Sequence, residues 1–154
     1  MGTIYTHCGT PVLVDDEDVE RLSAFRWHRK QSGHVHRSIQ RGKIKRGIHR
    51  DVIDAPDGVW VDHINGDPLD NRKVNLRLCD RVGNSRNSSS KKGSSSSFKG
   101  VCWNKASRKW QAGIKVNRKS IHLGLFATEQ QAAAAYDASA KEHFGEFARL
   151  NAPA

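Results

Sequence analysis

The chain has 154 residues, enough for one ordinary domain or two small ones and too few for a large buried core. Its 26 Lys and Arg against 16 Asp and Glu leave a formal net charge of +10, which calls for a polyanionic partner, with nucleic acid the default. No apolar run approaches the roughly 18 residues of a membrane span, no export signal opens the sequence, and three widely spaced cysteines argue against a disulfide framework or a zinc ribbon.

These totals predict a cytoplasmic protein with no membrane contact, no obligate protein partner and no structural zinc. The charge is also unevenly spread: residues 21 to 50 hold ten Arg/Lys and residues 81 to 128 hold eleven, with no carboxylate in either span. A solvated surface normally mixes both signs, so both basic fields read as phosphate-facing.

In chain order, "TPVLVDDEDVERLSAFRWHRK" predicts a short strand, a turn at Asp15 and a short helix whose Val19, Leu22 and Phe25 recur at helical spacing, with Trp27 closing that small core. After "QSG", the segment "HVHRSIQRGKIKRGIHRDVI" alternates as a strand or hairpin. It places His34, His36, Arg37, Arg41, Lys43, Lys45 and Arg46 on or near one exposed side, and Arg37, Arg41, Lys43 and Lys45 are candidate DNA contacts. The histidines here lack cysteines or carboxylates at ligand spacing, so surface or phosphate-facing roles are preferred to a metal site.

The next stretch, "VDHINGDPLDNRKVNLRLCDRVGNSRN", reads as strand, loop, strand and helix: Val59 to Ile64, the turn-rich "NGDPLDNR", Leu76 to Cys79, and Asp80 to about Asn87. Phosphodiester hydrolysis needs a base for the proton of water and a cation beside the leaving 3′ oxygen. A neutral imidazole, with an ordinary pKa near 6.5, does the first. A hard divalent ion held by carboxylate and amide oxygens does the second. Asp62, His63, Asn75 and Asn84 supply such groups. The alternative is that Asp62, Asn65 and Asp67 build an Asx-rich turn and the asparagines act as caps. Strand neighbours also face opposite ways, so Asp62 and His63 share a site only if the strand ends or twists there.

Residues 88 to 97, "SSSKKGSSSS", read as a flexible linker spanning roughly 17 Å on average. Beyond it, "FKGVCWNKASRKWQAGIKVNRKSIHLGLFATEQQAAAAYDASAKEHFGEF" predicts three strands and a helix. Trp110, Ala112, Ile114 and Val116 point one way, and the chain returns through Ile121, Leu123 and Leu125. The helix starts at Thr128, with Gln131 completing a capping box, and ends before Gly145; Ala133, Tyr136, Ala140 and Phe144 form its apolar stripe. One sheet face is then covered, and the other is left polar and basic.

Two resemblances follow from these residues. The stretch from Val61 to Asn87 resembles the HNH nuclease motif in its Asp-His, Asn, Asn form, found in phage and intron homing endonucleases. The resemblance implies a ββα-metal core over about 59–87 inside an HNH domain of residues 1–87, with His63 as general base and Asn75 supporting it. It also implies one divalent ion, Mg²⁺ or Mn²⁺, on Asp62 and Asn84, with Asn87 one turn beyond, and a phage-encoded enzyme nicking double-stranded DNA. Residues 98–151, with "KG", "HLG", "AYD" and "LN" in order, resemble an APETALA2-type DNA-binding domain. Carried over, that implicates Lys99, Trp103, Asn104, Gln111, Lys115 and His122 in DNA contact, though lysines where relatives often hold arginines lack the two-pronged fit to guanine.

The fold expected is therefore α+β, a ββα-metal nuclease domain plus a three-stranded antiparallel sheet packed on one helix. The competing reading is a DNA-binding transcriptional regulator whose nuclease frame is inactive. An RNA-binding module draws on the same charge, but no aromatic stacking pair supports it.

Overall fold

A computed structural model describes residues 1–80, 83–84, 87 and 94–151. The chain divides into two units, Met1–Asn84 and Ser85–Ala154. Both mix helix and antiparallel sheet.

The first unit begins with a hairpin, β1 (Gly2–Tyr5) against β2 (Pro11–Val14), closed where the Thr10 amide donates to Thr6 Oγ1 at 3.0 Å. Asp16–Asp18 then makes a 3-10 turn leading into the short helix α1 (Val19–Ser23). A three-stranded sheet follows in the order β3 (His28–Arg29), β4 (Val35–Ile39), β5 (Ile44–Gly47), and helix α2 (Ile48–Val52) runs directly on from β5. Last come β6 (Trp60–His63) and β7 (Leu76–Cys79), paired antiparallel with Asp62 opposite Arg77 and His63 opposite Leu76.

One apolar cluster joins these pieces: Ile4, Val12, Val14, Leu22, Trp27, Val35, Ile48, Val52 and Leu76. Each fully buried aliphatic side chain contributes about 1.5–3 kcal/mol, so a core drawn from several elements suffices where no single hairpin would. Trp27 is buried as expected, and its indole N–H donates to the Leu22 carbonyl at 2.8 Å, so no polar atom is stranded.

Three expectations for this half need correction. Residues 48–52, read as part of a strand or hairpin, form helix α2 instead. Phe25 is not a core residue: α1 ends at Ser23, and the ring is 39 % exposed, with the Arg37 guanidinium 3.9 Å above its centroid. The residues between His34 and Arg46 do not share one exposed side either. His36 is buried, and Arg37 and Arg46 each send Nε to the buried Asp51 carboxylate at 2.6 and 2.5 Å. Local charge does not reveal this, because the acid that pairs with them comes from α2, just beyond the acid-free span.

In the second unit β8 (Val101–Asn104), β9 (Lys109–Val116) and β10 (Lys119–Phe126) form a sheet in the order β10-β9-β8. Helix α3 (Glu129–Phe144) carries a complete Thr128/Gln131 capping box, and Ala132, Ala133, Tyr136, Ala140 and Phe144 on it are buried with Val101, Ala112 and Ile114 of the sheet.

The return strand departs from simple alternation. A bulge between His122 and Gly124 inserts one residue, which reverses the facing of all that follow. Leu125 therefore pairs with Gln111 and is 40 % exposed instead of pointing inward, while Phe126 packs against the core. Gly124 adopts φ +140°, and a Cβ there would meet the Phe126 ring at 3.1 Å. Ser94–Ser97 also differ from a plain linker: buried Ser96 donates to Glu129 Oε1 at 2.6 Å, and Ser95 Oγ accepts from the Trp103 amide. Residues 88–93 lie outside the described residues.

Candidate active site

The end of β6 and the loop after it are held in place by the opposite end of the first unit. Strand β2 reaches the loop through Leu13, whose amide donates to the Leu69 carbonyl and whose own carbonyl accepts from the Asn71 amide, both at 2.8 Å. Asp15 Oδ2 accepts from the Lys73 amide at 2.7 Å. Within the loop, Asn65 Oδ1 accepts from the Asp67 amide and Asp67 Oδ1 from the Leu69 amide, a run of Asx turns. Arg72 grips Asp70 with two bonds of 2.7 Å and holds its carboxyl below the usual carboxylate range. Asn65 and Asp67 are thus turn builders, while Asp62 belongs elsewhere.

Asn75 acts on the chain just past His63. Its Oδ1 accepts from the Asn65 amide, its Nδ2 donates to Asn65 Oδ1 and to the Asp70 carbonyl, and its own carbonyl accepts from the Ile64 amide. One buried amide side chain thereby fixes both ends of the loop that leaves the histidine.

His63 is buried, and its Nε2 lies 3.1 Å from Oδ1 of Asn71, a residue with no exposed surface. Asn71 Nδ2 donates to the Pro68 carbonyl, which orients the amide so that Oδ1 faces the imidazole as an acceptor. Nε2 is therefore the protonated nitrogen, and the lone pair of the neutral ring sits on Nδ1. Burial pushes His63 below the ordinary imidazole value, with the Asn71 bond opposing. Sequence reasoning missed Asn71. The only available signal was that the "DN" pair ends an Asx-rich loop, which does not say which amide turns inward.

Two further imidazoles meet His63. His49 from α2 lies with its ring centroid 5.3 Å away and His34, just before β4, 5.8 Å away; His34 and His49 are 6.0 Å apart. Gly33 permits this approach: it adopts φ +91°, and a Cβ there would meet Pro68 at 2.8 Å. Among the described residues no group of three or more His, Cys, Asp or Glu is arranged to hold a metal ion. His49 is pushed down to about 3, chiefly by burial and then by His63 and His34.

The shift has a consequence for acid stability. An imidazole held neutral in the fold but free to charge in the unfolded chain adds nothing above pH 6.5 and destabilises as pH falls from there toward 3, by at most about 1.4 kcal/mol per pH unit. Asp70, with its pKa lowered from 3.8, adds stability that is fully present above that value and is lost only as pH falls below it, so it does not vary across this window. Melting curves should therefore lose stability between pH 6.5 and 5, and His49→Gln should flatten that loss; an identical slope in the variant would refute the assignment.

Asp62 is also buried, but its Oδ2 accepts from Arg77 Nε at 3.0 Å and Nη2 at 2.7 Å across the β6–β7 pair. Gly83 and Asn84 are helical; the Asp80 carbonyl accepts from the Asn84 amide and its carboxylate accepts from the Gly83 amide. The rest of the expected helix over 80–87 falls on residues outside those described, apart from Asn87, which is buried in a turn.

The other candidates are distributed unevenly. Arg41, Lys43 and Lys45 are exposed on the β4–β5 hairpin, whereas Arg37 is committed to Asp51. In the second unit the register places Gln111, Lys115 and His122 on the sheet face opposite the buried Ala112 and Ile114, and Asn104 Nδ2 donates to Gln111 Oε1 at 3.0 Å. Trp103 pairs instead with Trp110, their ring centroids 5.1 Å apart, on the side that carries the core. Lys99 is half-buried, tied through its backbone to Asn151, and burial together with Arg149 brings it down to about 8.

Comparison with known proteins defines the class. A profile described as HNH endonuclease matches residues 54–86, spanning β6, the Asx loop and β7. A protein of Acanthamoeba polyphaga mimivirus named an uncharacterized HNH endonuclease is 33 % identical over 147 residues, 93 % of this chain and 75 % of its own length. The chain belongs to the HNH endonuclease family, and DNA is accordingly its substrate. Protein 3.8 of Escherichia phage T7 is 32 % identical over 95 residues, covering 62 % of this chain and 78 % of its own. An ethylene-responsive transcription factor-like protein of Arabidopsis thaliana is 56 % identical over 32 residues, only 21 % of this chain and 14 % of its own. No solved structure matches the chain. Among the described residues, no helix is long and apolar enough to cross a membrane.

Proposed function

We propose that the chain is a divalent-metal-dependent, homing-type DNA endonuclease that nicks double-stranded DNA, with a ββα-metal centre over about 59–87 and a second, APETALA2-like unit that grips DNA. The observation that carries this reading is the buried His63, oriented by Asn71 so that the lone pair lies on Nδ1. His63 takes a proton from the attacking water at Nδ1, hydroxide adds to phosphorus, and the bond to the 3′ oxygen breaks to leave a 5′ phosphate and a 3′ oxyanion, which takes a proton from solvent to become the 3′ hydroxyl. Asn71 holds the ring in this tautomer, and Asn75 fixes the loop behind it.

Asp62 and Asn84 offer a carboxylate and an amide oxygen, donors suited to a hard ion such as Mg²⁺ or Mn²⁺. When bound, such an ion neutralises charge on the leaving oxygen. In the second unit Asn104, Gln111, Lys115 and His122 are the proposed DNA contacts, joined by Arg41, Lys43 and Lys45 on the first unit's hairpin. Their lysines fix position on phosphate more than they select bases.

One observation favours the competing reading of an inactive frame: Arg77 already neutralises Asp62. Incubation of supercoiled DNA with the full chain separates the two. The nuclease produces open circles with Mg²⁺ or Mn²⁺ and none after chelation with EDTA; a binding protein shifts the DNA but leaves it closed with every metal.

A further inference from the structure

The open face of the second unit's sheet carries one uncharged row of side chains. Cys102 on β8 pairs with Gln111 on β9, and Gln111 pairs in turn with Leu125 on β10. Ala112, the next residue along β9, is buried in the core shared with α3, so Gln111 and its two partners face the other way. Cys102 and Leu125 are exposed, and Leu125 reaches this face only because the bulge at His122–Gly124 turns it there. Lys109 and Lys115 stand on the same face of β9, both exposed, with Gln111 between them. No carboxylate occurs between residues 81 and 128, so the face offers cations for phosphate on either side of an uncharged row.

The Gln111 amide is oriented before any ligand arrives. The Ser107 amide donates to Asn104 Oδ1 at 3.0 Å, which turns Asn104 Nδ2 toward Gln111 Oε1, also at 3.0 Å. Oε1 keeps a second lone pair, and Nε2 donates to nothing among the described residues. This donor and acceptor side by side match adenine in the major groove, where N7 accepts and the N6 amino group donates. Guanine offers two acceptors there and cytosine a donor alone, so neither satisfies both atoms of the amide. Leu125 adds an apolar surface beside it, of the kind that meets the C5 methyl group of thymine, the partner of adenine. Opposed residues on paired strands hold their Cβ atoms about 5 Å apart and base pairs rise by roughly 3.4 Å, so the two side chains fall within one step of each other on a duplex.

We propose that Gln111 and Leu125 are the base-reading pair of the second unit. Gln111 takes an adenine by its N6 and N7 edge, and Leu125 covers the methyl group of a thymine in the same or the adjacent base pair. The inference rests on the reading of this unit as a DNA grip and deepens it, because it names an A·T-containing target read through the major groove. Lys109 and Lys115 hold phosphates on either side and add affinity without selecting bases.

The test is selection of duplexes with a randomised centre by the full chain in EDTA, so that no cleavage enters, followed by affinity measurements on the enriched sequence. An A·T pair should be enriched. Replacing thymines by uracil one at a time removes a methyl group and leaves the protein intact. At one position it should weaken wild-type binding about fourfold, the loss of one buried methyl group, and it should have no effect on Leu125→Ala. Gln111→Ala should lose about tenfold of the preference for adenine over guanine, and both variants should keep the wild-type salt slope because the lysines are untouched. Uracil without effect on wild type at every position, or with the same effect on Leu125→Ala, overturns the pair, as does enrichment of G·C pairs alone. Lys109→Gln/Lys115→Gln with an unchanged salt slope would instead defeat the reading of this unit as a DNA grip.

Discussion

Replacing His63 with alanine should lower the rate of DNA nicking by about 10²–10⁴-fold, the usual contribution of a positioned general base. Duplex binding in EDTA should be preserved, because the exposed lysines and the sheet face of the second unit are untouched. Added imidazole should restore part of the rate in the alanine variant by occupying the vacated space, a result that a merely misfolded protein cannot give. Asn71→Leu should fall between wild type and the alanine variant: its Oδ1 accepts from Nε2, and without that acceptor the proton is free to move to Nδ1, the nitrogen required as the base. His63→Ala cutting at the wild-type rate would remove the histidine from the mechanism. Asn71→Leu matching wild type would remove the tautomer argument alone.

Asp62→Ala should abolish metal-dependent nicking and also destabilise the first unit by about 3–5 kcal/mol, the cost of leaving one half of a buried ion pair alone. Arg77 and Asp62 side chains are 12 % and 7 % exposed, so the guanidinium left behind cannot recover full hydration. Because that stability loss would itself reduce activity, the informative variant is the double replacement, Asp62→Ala/Arg77→Met. Removing both charges should recover most of the stability, as well-packed apolar substitutes for buried pairs commonly do. Nicking should remain absent in the double variant if Asp62 binds the ion, and its return alongside stability would show that the carboxylate serves only Arg77. Chemical denaturation read by hydrogen exchange of first-unit amides and plasmid nicking at saturating Mg²⁺ measure the two effects separately.

The HNH class is legible in residues 61–87 because its signals are local: a histidine at a strand end, a loop of Asx residues, and a second strand at fixed spacing. The Thr128/Gln131 capping box and the alanine-rich stripe of α3 are likewise visible along the chain, since a helix N-terminus and a 3.6-residue period are properties of contiguous residues. Whatever depends on a distant partner is not legible in this way. Arg37 reads as exposed until Asp51 is folded against it, and Leu125 reads as inward until one extra residue at the His122–Gly124 bulge reverses the facing.

Sequence by itself determined the family and the basic character, because motif spacing and charge are written along the chain, but not every element: β1 and helix α2 appear only in the fold. Only the tertiary structure decided which amide faces Nε2 of His63 and which imidazoles surround it. Leu13 on β2 holds the loop that carries Asn71, while Gly33 lets the turn before β4 bring His34 against the same loop, and α2 delivers His49. These contacts join segments far apart in sequence, and their geometry follows from the packing of one shared core, which no local pattern encodes.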